Sequence, residues 1–136
     1  MEMMIIPPYI DVFVSVLRDN QIAQVALITV CCLILCDWIF GIANALQHKE
    51  FSSNVMRDGL YHKAAEIGML VVGVLLDGSL LGGFDIGYGA PVFTVLCGYI
   101  ALMELGSLLE IFVRMNPDLE KSGVFQLLAS VKVEEE

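Results

Sequence analysis

Three long apolar stretches, Ile22–Leu46, Ala64–Leu81 and Ala90–Val113, constrain this chain more than any other feature, because each carries acidic residues well inside its ends. Asp37 lies in the first, Glu66 and Asp77 in the second, and Glu104 and Glu110 in the third. All three fall within the roughly 17–25 residues that a helix needs to cross the hydrocarbon core of a bilayer. An acidic group near the centre of such a span costs about 2.5–3.5 kcal/mol on insertion scales, and is rare there for that reason. Acids in every stretch therefore predict helices that associate with other helices or line water, rather than three inert anchors.

Composition closes the soluble alternative. The chain has 136 residues, 57% of them hydrophobic, with a mean hydropathy of +0.77. A small domain buries a limited share of its surface, so a soluble fold would leave much of this apolar area exposed. The net charge of −9, with only 7 scattered Lys and Arg residues, excludes a nucleic-acid partner, which would need clustered cations against phosphate. Cys31, Cys32, Cys36 and Cys97 all lie within apolar stretches, where a thiol acts as a small hydrophobe. The C-x3-C spacing of Cys32 and Cys36 has no partner cluster, and His48 and His62 lack a third ligand at a useful spacing. No metal site, cofactor or disulfide is expected. No nucleophile elbow, zinc-binding His pair or phosphate-cradling glycine loop is present, so there are no catalytic residues to name and the chain reads as a non-enzyme.

The basic residues set an orientation. Lys49, Arg57 and Lys63 lie between the first two stretches, and Arg114, Lys121 and Lys132 follow the third. Only Arg18 precedes the first, and the segment Gly82–Gly89 has none. With the cytoplasmic side enriched in Lys and Arg, three spans with the N-terminus outside and the C-terminus inside put six of the 7 on one side. The start, Met1-Glu2-Met3-Met4, lacks the basic region of a secretory signal, so the first stretch is expected to be a retained helix.

The expected organisation is an amphipathic segment over residues 1–21, a three-span domain over 22–113, and a second amphipathic helix with an acidic tail over 114–136. In the first segment Tyr9, Val12, Phe13, Val16 and Leu17 share a face, with Pro7-Pro8 suited to the helix start. Such a helix would lie in the interface or cover other helices. Asn116-Pro117-Asp118 ends the third span, after which Val124, Leu127, Leu128 and Val131 recur at helical spacing. Ser52, Ser53 or Asn54 is placed to cap the second long helix, which is expected to start before its apolar part and to carry Arg57, Asp58, His62 and Lys63. The glycines of 82–89 predict a tight turn.

At 100° per residue, Asp37, Gly41, Asn44, Ala45 and His48 share a stripe of the first long helix, and Gly59, Glu66, Gly73 and Asp77 a stripe of the second. On the third, Glu104, Ser107, Glu110 and Arg114 form a drifting stripe, with Glu110 and Arg114 spaced for an ion pair. Small residues allow close helix approach in lipid and polar ones bond across the contact, so these faces are candidates for self-association or for a wetted lumen. No Lys or Arg is expected deep enough in a span to neutralise Asp37 directly. Lys63 is placed to snorkel inward toward a carboxylate of a neighbouring helix.

The run Asp37-Trp38-Ile39-Phe40-Gly41-Ile42-Ala43-Asn44-Ala45-Leu46, followed by Lys49-Glu50-Phe51-Ser52-Ser53, Gly59-Leu60 and Lys63, resembles the core signature of a phage holin family that includes the clostridial toxin-secretion holins. Asp77 matches a recurrent Asp of that family, and Met103-Glu104-Leu105-Gly106-Ser107-Leu108-Leu109-Glu110 is similar to its third helix. Ile111 stands where the family often has Asn, and the tail ends in Glu134-Glu135-Glu136 where a basic one is common. The resemblance implies an all-α, multi-pass protein of the bacterial cytoplasmic membrane that forms homo-oligomeric lesions among the lipids and releases an endolysin or toxin as its cargo. Two other classes share the residue pattern: an acid-lined cation channel or proton-pathway subunit, and a small membrane adaptor whose acids only join helices.

Overall fold

The computed structural model describes residues 7–83, 90–123, 125–127 and 130. Among them the regular elements are all helical: α1 (Pro8–Arg18), α2 (Gln21–Gln47), α3 (Ser53–Gly83) and α4 (Pro91–Met115), followed by a 3-10 helix over Pro117–Lys121. Two of these helices, α2 and α4, are long and apolar enough to cross a membrane by length and composition. α3 is longer, at 31 residues, because its polar first part, with Arg57, Asp58, His62 and Lys63, is helical before the apolar part begins. Gly82 and Gly83, expected in the turn, instead belong to the end of α3, and the rest of that turn, 84–89, and most of the apolar face after residue 123 lie outside the described residues.

Local chemistry explains the helix ends. Asn20 Oδ1 accepts the Ala23 N–H at 3.1 Å and caps α2, while Gln24 Nε2 donates to the carbonyls of Leu17 and Arg18, the last of α1, at 2.9 and 2.8 Å. At the other end of α2, Glu50 N–H donates to the Ala45 carbonyl at 2.9 Å and Lys49 N–H to Leu46 at 3.3 Å. That is a Schellman closure, with Lys49 at the left-handed position, φ 57°. Ser52 stands just before α3, and its carbonyl accepts the Met56 N–H at 3.1 Å. Asn116 Oδ1 accepts from Asp118 N–H at 3.3 Å, and Pro117 cannot continue α4, so the chain turns there as expected.

The chain forms two compact units, each taking a stretch of every long helix: Met1–Val30 with Ala64–Ile100, and Cys31–Lys63 with Ala101–Glu136. In the first unit α1 packs on α3. Val16 is buried, and the Phe13 ring occupies the space that a side chain at Gly78 would need. α3 and α4 also approach closely there, since a Cβ on Gly73 would stand 3.1 Å from Phe93 Cα. In the second unit the Phe40 and Phe112 rings pack edge to face at 5.0 Å, and Arg114 of α4 reaches Glu50 at 3.0 Å.

Burial along each helix follows a repeat of three and four residues. On α3 the buried positions are Lys63, Glu66, Leu70, Gly73, Asp77 and Gly78, and on α4 Phe93, Cys97, Ile100, Glu104 and Leu108. On α2, Ala23, Val30 and Asn44 are buried, with Asp37 between them at the same seven-residue spacing. This is the spacing of a helix–helix seam. The outward residues are apolar, including Ile22, Val25, Ile28, Leu35 and Ile39 of α2 and Ile67, Val71, Val72, Leu75 and Leu76 of α3. Asp37, Lys63, Glu66, Asp77 and Glu104 face in while these apolar side chains face out, the reverse of a soluble domain.

Candidate functional site

Asp37 of α2, Lys63 of α3 and Glu104 of α4 meet in the second unit. The Lys63 ammonium lies 2.8 Å from Asp37 Oδ2 and also bonds Glu104 Oε1. The side chains are nearly closed off, with 11% of Lys63, 13% of Asp37 and 1% of Glu104 exposed. One cation thus joins a carboxylate from each of two other helices. The expectation that no basic side chain lies deep enough to neutralise Asp37 is corrected here. The four-carbon stem of Lys63 carries its charge from the start of the apolar part of α3 to both acids, the inward snorkelling anticipated for it. Charges excluded from water need such direct pairing, since breaking a buried pair by removing one partner costs roughly 3–5 kcal/mol.

Beside this cluster α2 and α3 do not close on each other. Gly41 and Ala45 of α2 and Gly59 of α3, with Asp37 and Lys63, wall a cavity of about 160 Å³. Trp38, Ile42, Phe51 and Met56 complete its lining. No heavy atom lies within 4 Å of where a Gly59 Cβ would stand, so this glycine borders open space. Asn44, 6% exposed, sits a heptad beyond Asp37, and its Oδ1 and Asp37 Oδ1 are buried with no hydrogen-bond partner among the described residues.

Asp77 has a different role, in the first unit. Its two carboxylate oxygens accept the Val92 and Phe93 N–H groups at 3.1 and 2.7 Å. These are free donors of the first turn of α4, where Pro91 has no N–H and Ala90 no capping side chain. An acid on the N-terminal end of a helix also meets the positive end of its dipole. Asp77, only 1% exposed, is therefore a capping group supplied from another helix. Glu66 and Gly73 are buried in the same unit.

The stripe expected on α4 is redrawn. Glu104 is buried, but Ser107 is half-buried and Glu110 and Arg114 are exposed. The inward face continues through Leu108, because packing follows the three-four repeat and Glu110 falls off it. Met56 carried no marker in the sequence, Trp38 and Phe51 stood out there only within the holin-like run, and Arg114, expected to pair with Glu110, reaches Glu50 because the chain folds back there.

A family model described as the bacteriophage holin family matches residues 21–121. The chain belongs to the bacteriophage holin family. No curated protein and no solved structure matches it. The matched part of this holin runs from the first residue of α2 to the last of the 3-10 helix, and so contains the charge cluster, the cavity and the Asp77 cap. α1 lies outside it. Family and apolar helices together make this a holin-type membrane protein.

Proposed function

We propose that this holin crosses the bacterial cytoplasmic membrane with α2, α3 and α4, N-terminus outside and C-terminus inside, and associates with further copies into lesions that pass an endolysin or toxin. The observation that carries the reading is the Lys63–Asp37–Glu104 cluster inside a chain whose outward side chains are apolar. A single chain so built can remain dispersed in lipid, since Lys63 is paired with Asp37 and Glu104, Asp77 is bonded to helix amides, and hydrocarbon meets hydrocarbon outside. In lipid no hydrophobic force drives helices together, so packing and polar contacts decide association. A lesion wall needs polar surface toward water, and the buried Asp37, Lys63 and Glu104 of the second unit are polar groups that such a wall would present. Placing the Lys- and Arg-bearing segments inside accords with the distribution of basic residues.

The test is induced expression in a bacterium that also makes a cell-wall hydrolase without an export signal, with culture density and enzyme release followed over time. A delayed, abrupt fall in density that requires both proteins is expected. Full membrane insertion with no release would refute lesion formation. A steady cation leak without protein passage would assign the acids to a channel.

A further inference from the structure

α2 is held less firmly than α4. Only 6% of its most apolar stretch is buried, against 33% for α4. In the first unit α4 is drawn tightly onto α3, with Phe93 Cα 3.1 Å from where a Gly73 Cβ would stand and the Val92 and Phe93 N–H groups bonded to Asp77. Gln24 of α2 and Val74 of α3, by contrast, line a hollow together with Phe13, Val14, Leu17 and Arg18 of α1. We infer that α1 is a strap that holds α2 on α3 in the dispersed chain and must let go before α2 is free to move in lesion assembly. The inference rests on the lesion reading for its consequence, while the strap itself has its own readout in thiol labelling.

Both attachments of the strap are on view in the first unit. On the α2 side the corner is tied by side chains. Gln24 Nε2 donates to the Leu17 and Arg18 carbonyls, and Asn20 Oδ1 accepts the Ala23 N–H. Arg18 bonds Asp19 in the corner at 3.0 Å and Asp11, two turns back, at 2.6 Å. A corner so tied transmits the position of α1 to the start of α2, where Ala23 and Val30 are buried. On the α3 side the Phe13 ring fills the notch at Gly78, where any side chain would collide with it. Val16, one turn further along the same face of α1, is 1% exposed.

The strap is built to be released. Asp11, Arg18 and Asp19 keep between 43% and 60% of their side chains exposed. A helix with one charged and one apolar face is at home in the membrane interface as well as against protein. Moving Phe13 and Val16 from α3 to acyl chains forfeits packing but no hydrophobic burial, because lipid is as apolar as the seat they leave. The part of the chain matched to the family starts at Gln21, so α2, α3 and α4 carry the family pattern without the strap, and α1 adds control to them.

The test uses full-length protein in bacterial membranes, with the exposed Cys31, Cys32 and Cys36 changed to Ala and the buried Cys97 retained. Phe13→Cys combined with Gly78→Cys puts two thiols where ring and notch meet. Once oxidised, this chain should release no hydrolase, and a permeant reductant should restore release. Phe13→Ala and, separately, Gly78→Ala should at least halve the delay before release at equal membrane level. Their combination should shorten it no further, since each removes the same contact. In a separate chain the buried Ala23, changed by Ala23→Cys, should react with an aqueous maleimide at least tenfold faster once Phe13→Ala is added. Failure of the paired thiols to link would deny the seating of Phe13 at Gly78, and labelling indifferent to Phe13→Ala would overturn the strap itself. Release from the oxidised pair on the unmodified schedule, or an unchanged delay in Phe13→Ala and Gly78→Ala, would overturn its control of assembly. Phe13-dependent labelling with no release from the unmodified chain would sink the lesion reading and leave the strap standing.

Discussion

Replacing Lys63 with Met removes the one cation between Asp37 and Glu104 while keeping nearly the same apolar stem. Breaking a buried ion pair by deleting one partner costs about 3–5 kcal/mol, because a charge remains where water cannot reach it. Two carboxylates are stranded here, and Glu104, 1% exposed, is the more deeply enclosed of the two. The loss should therefore fall at the upper end of that range. The same reasoning makes Lys63's coupling to Glu104 larger than its coupling to Asp37, at 13% exposure. The triple variant Asp37→Asn, Lys63→Met, Glu104→Gln should regain most of the stability, since replacing a whole buried charged set is often near neutral. Unfolding of the purified protein from mild detergent into a denaturing one, followed by the fluorescence of Trp38 beside the cluster, gives each difference, and double-mutant cycles give the couplings. A Lys63→Met loss below about 1 kcal/mol, or no coupling to either acid, would refute the cluster as the tie between the three helices.

Three further outcomes follow from the same geometry. Gly73→Ala should cost about 1–3 kcal/mol, because the new methyl stands 3.1 Å from Phe93 Cα, whereas Gly59→Ala meets open space and should stabilise by up to about 1 kcal/mol through helix propensity; the detergent unfolding assay separates the two. Asp77→Ala leaves the Val92 and Phe93 N–H groups without their acceptor, a loss of about 1–2 kcal/mol, and hydrogen exchange at those two amides should accelerate while that of mid-α4 changes little. In α1, hydrogen bonds from the Arg18 guanidinium hold the Asp11 and Asp19 carboxyls below the usual 3.8. Because the folded-state values are the lower ones, the stabilisation is full above about pH 4 and fades as pH falls through them; melting of α1 on acidification, followed by circular dichroism, should lose this component in Arg18→Gln.

The elements were legible where a physical pattern is local. The apolar runs mark α2 and α4, Asn116-Pro117 marks where α4 stops, and Pro7-Pro8 with the apolar stripe marks α1. The inward face of α3 was largely legible too, since Glu66, Gly73 and Asp77 repeat along it. The α4 stripe differs because it follows polar residues: at 100° per residue Glu110 lies about 120° from Glu104, whereas the apolar Ile100 and Leu108 lie about 40° from it and share its buried face. The reach of Lys63 was half legible: snorkelling indicated a direction, while the two acids that receive it come from helices distant in the chain. The role of Asp77 was hidden for another reason. Its partners are backbone N–H groups 15 and 16 residues away, which no pattern of side chains records.

The most direct test of lesion formation is release from vesicles of bacterial lipid reconstituted with the purified holin and loaded with both a small dye and a fluorescent protein of hydrolase size. Loss of both cargoes, with a steep dependence on the number of chains per vesicle, is the expected result. Loss of the dye alone would mean a narrow channel, and retention of both at high protein density would contradict a lesion-forming holin altogether.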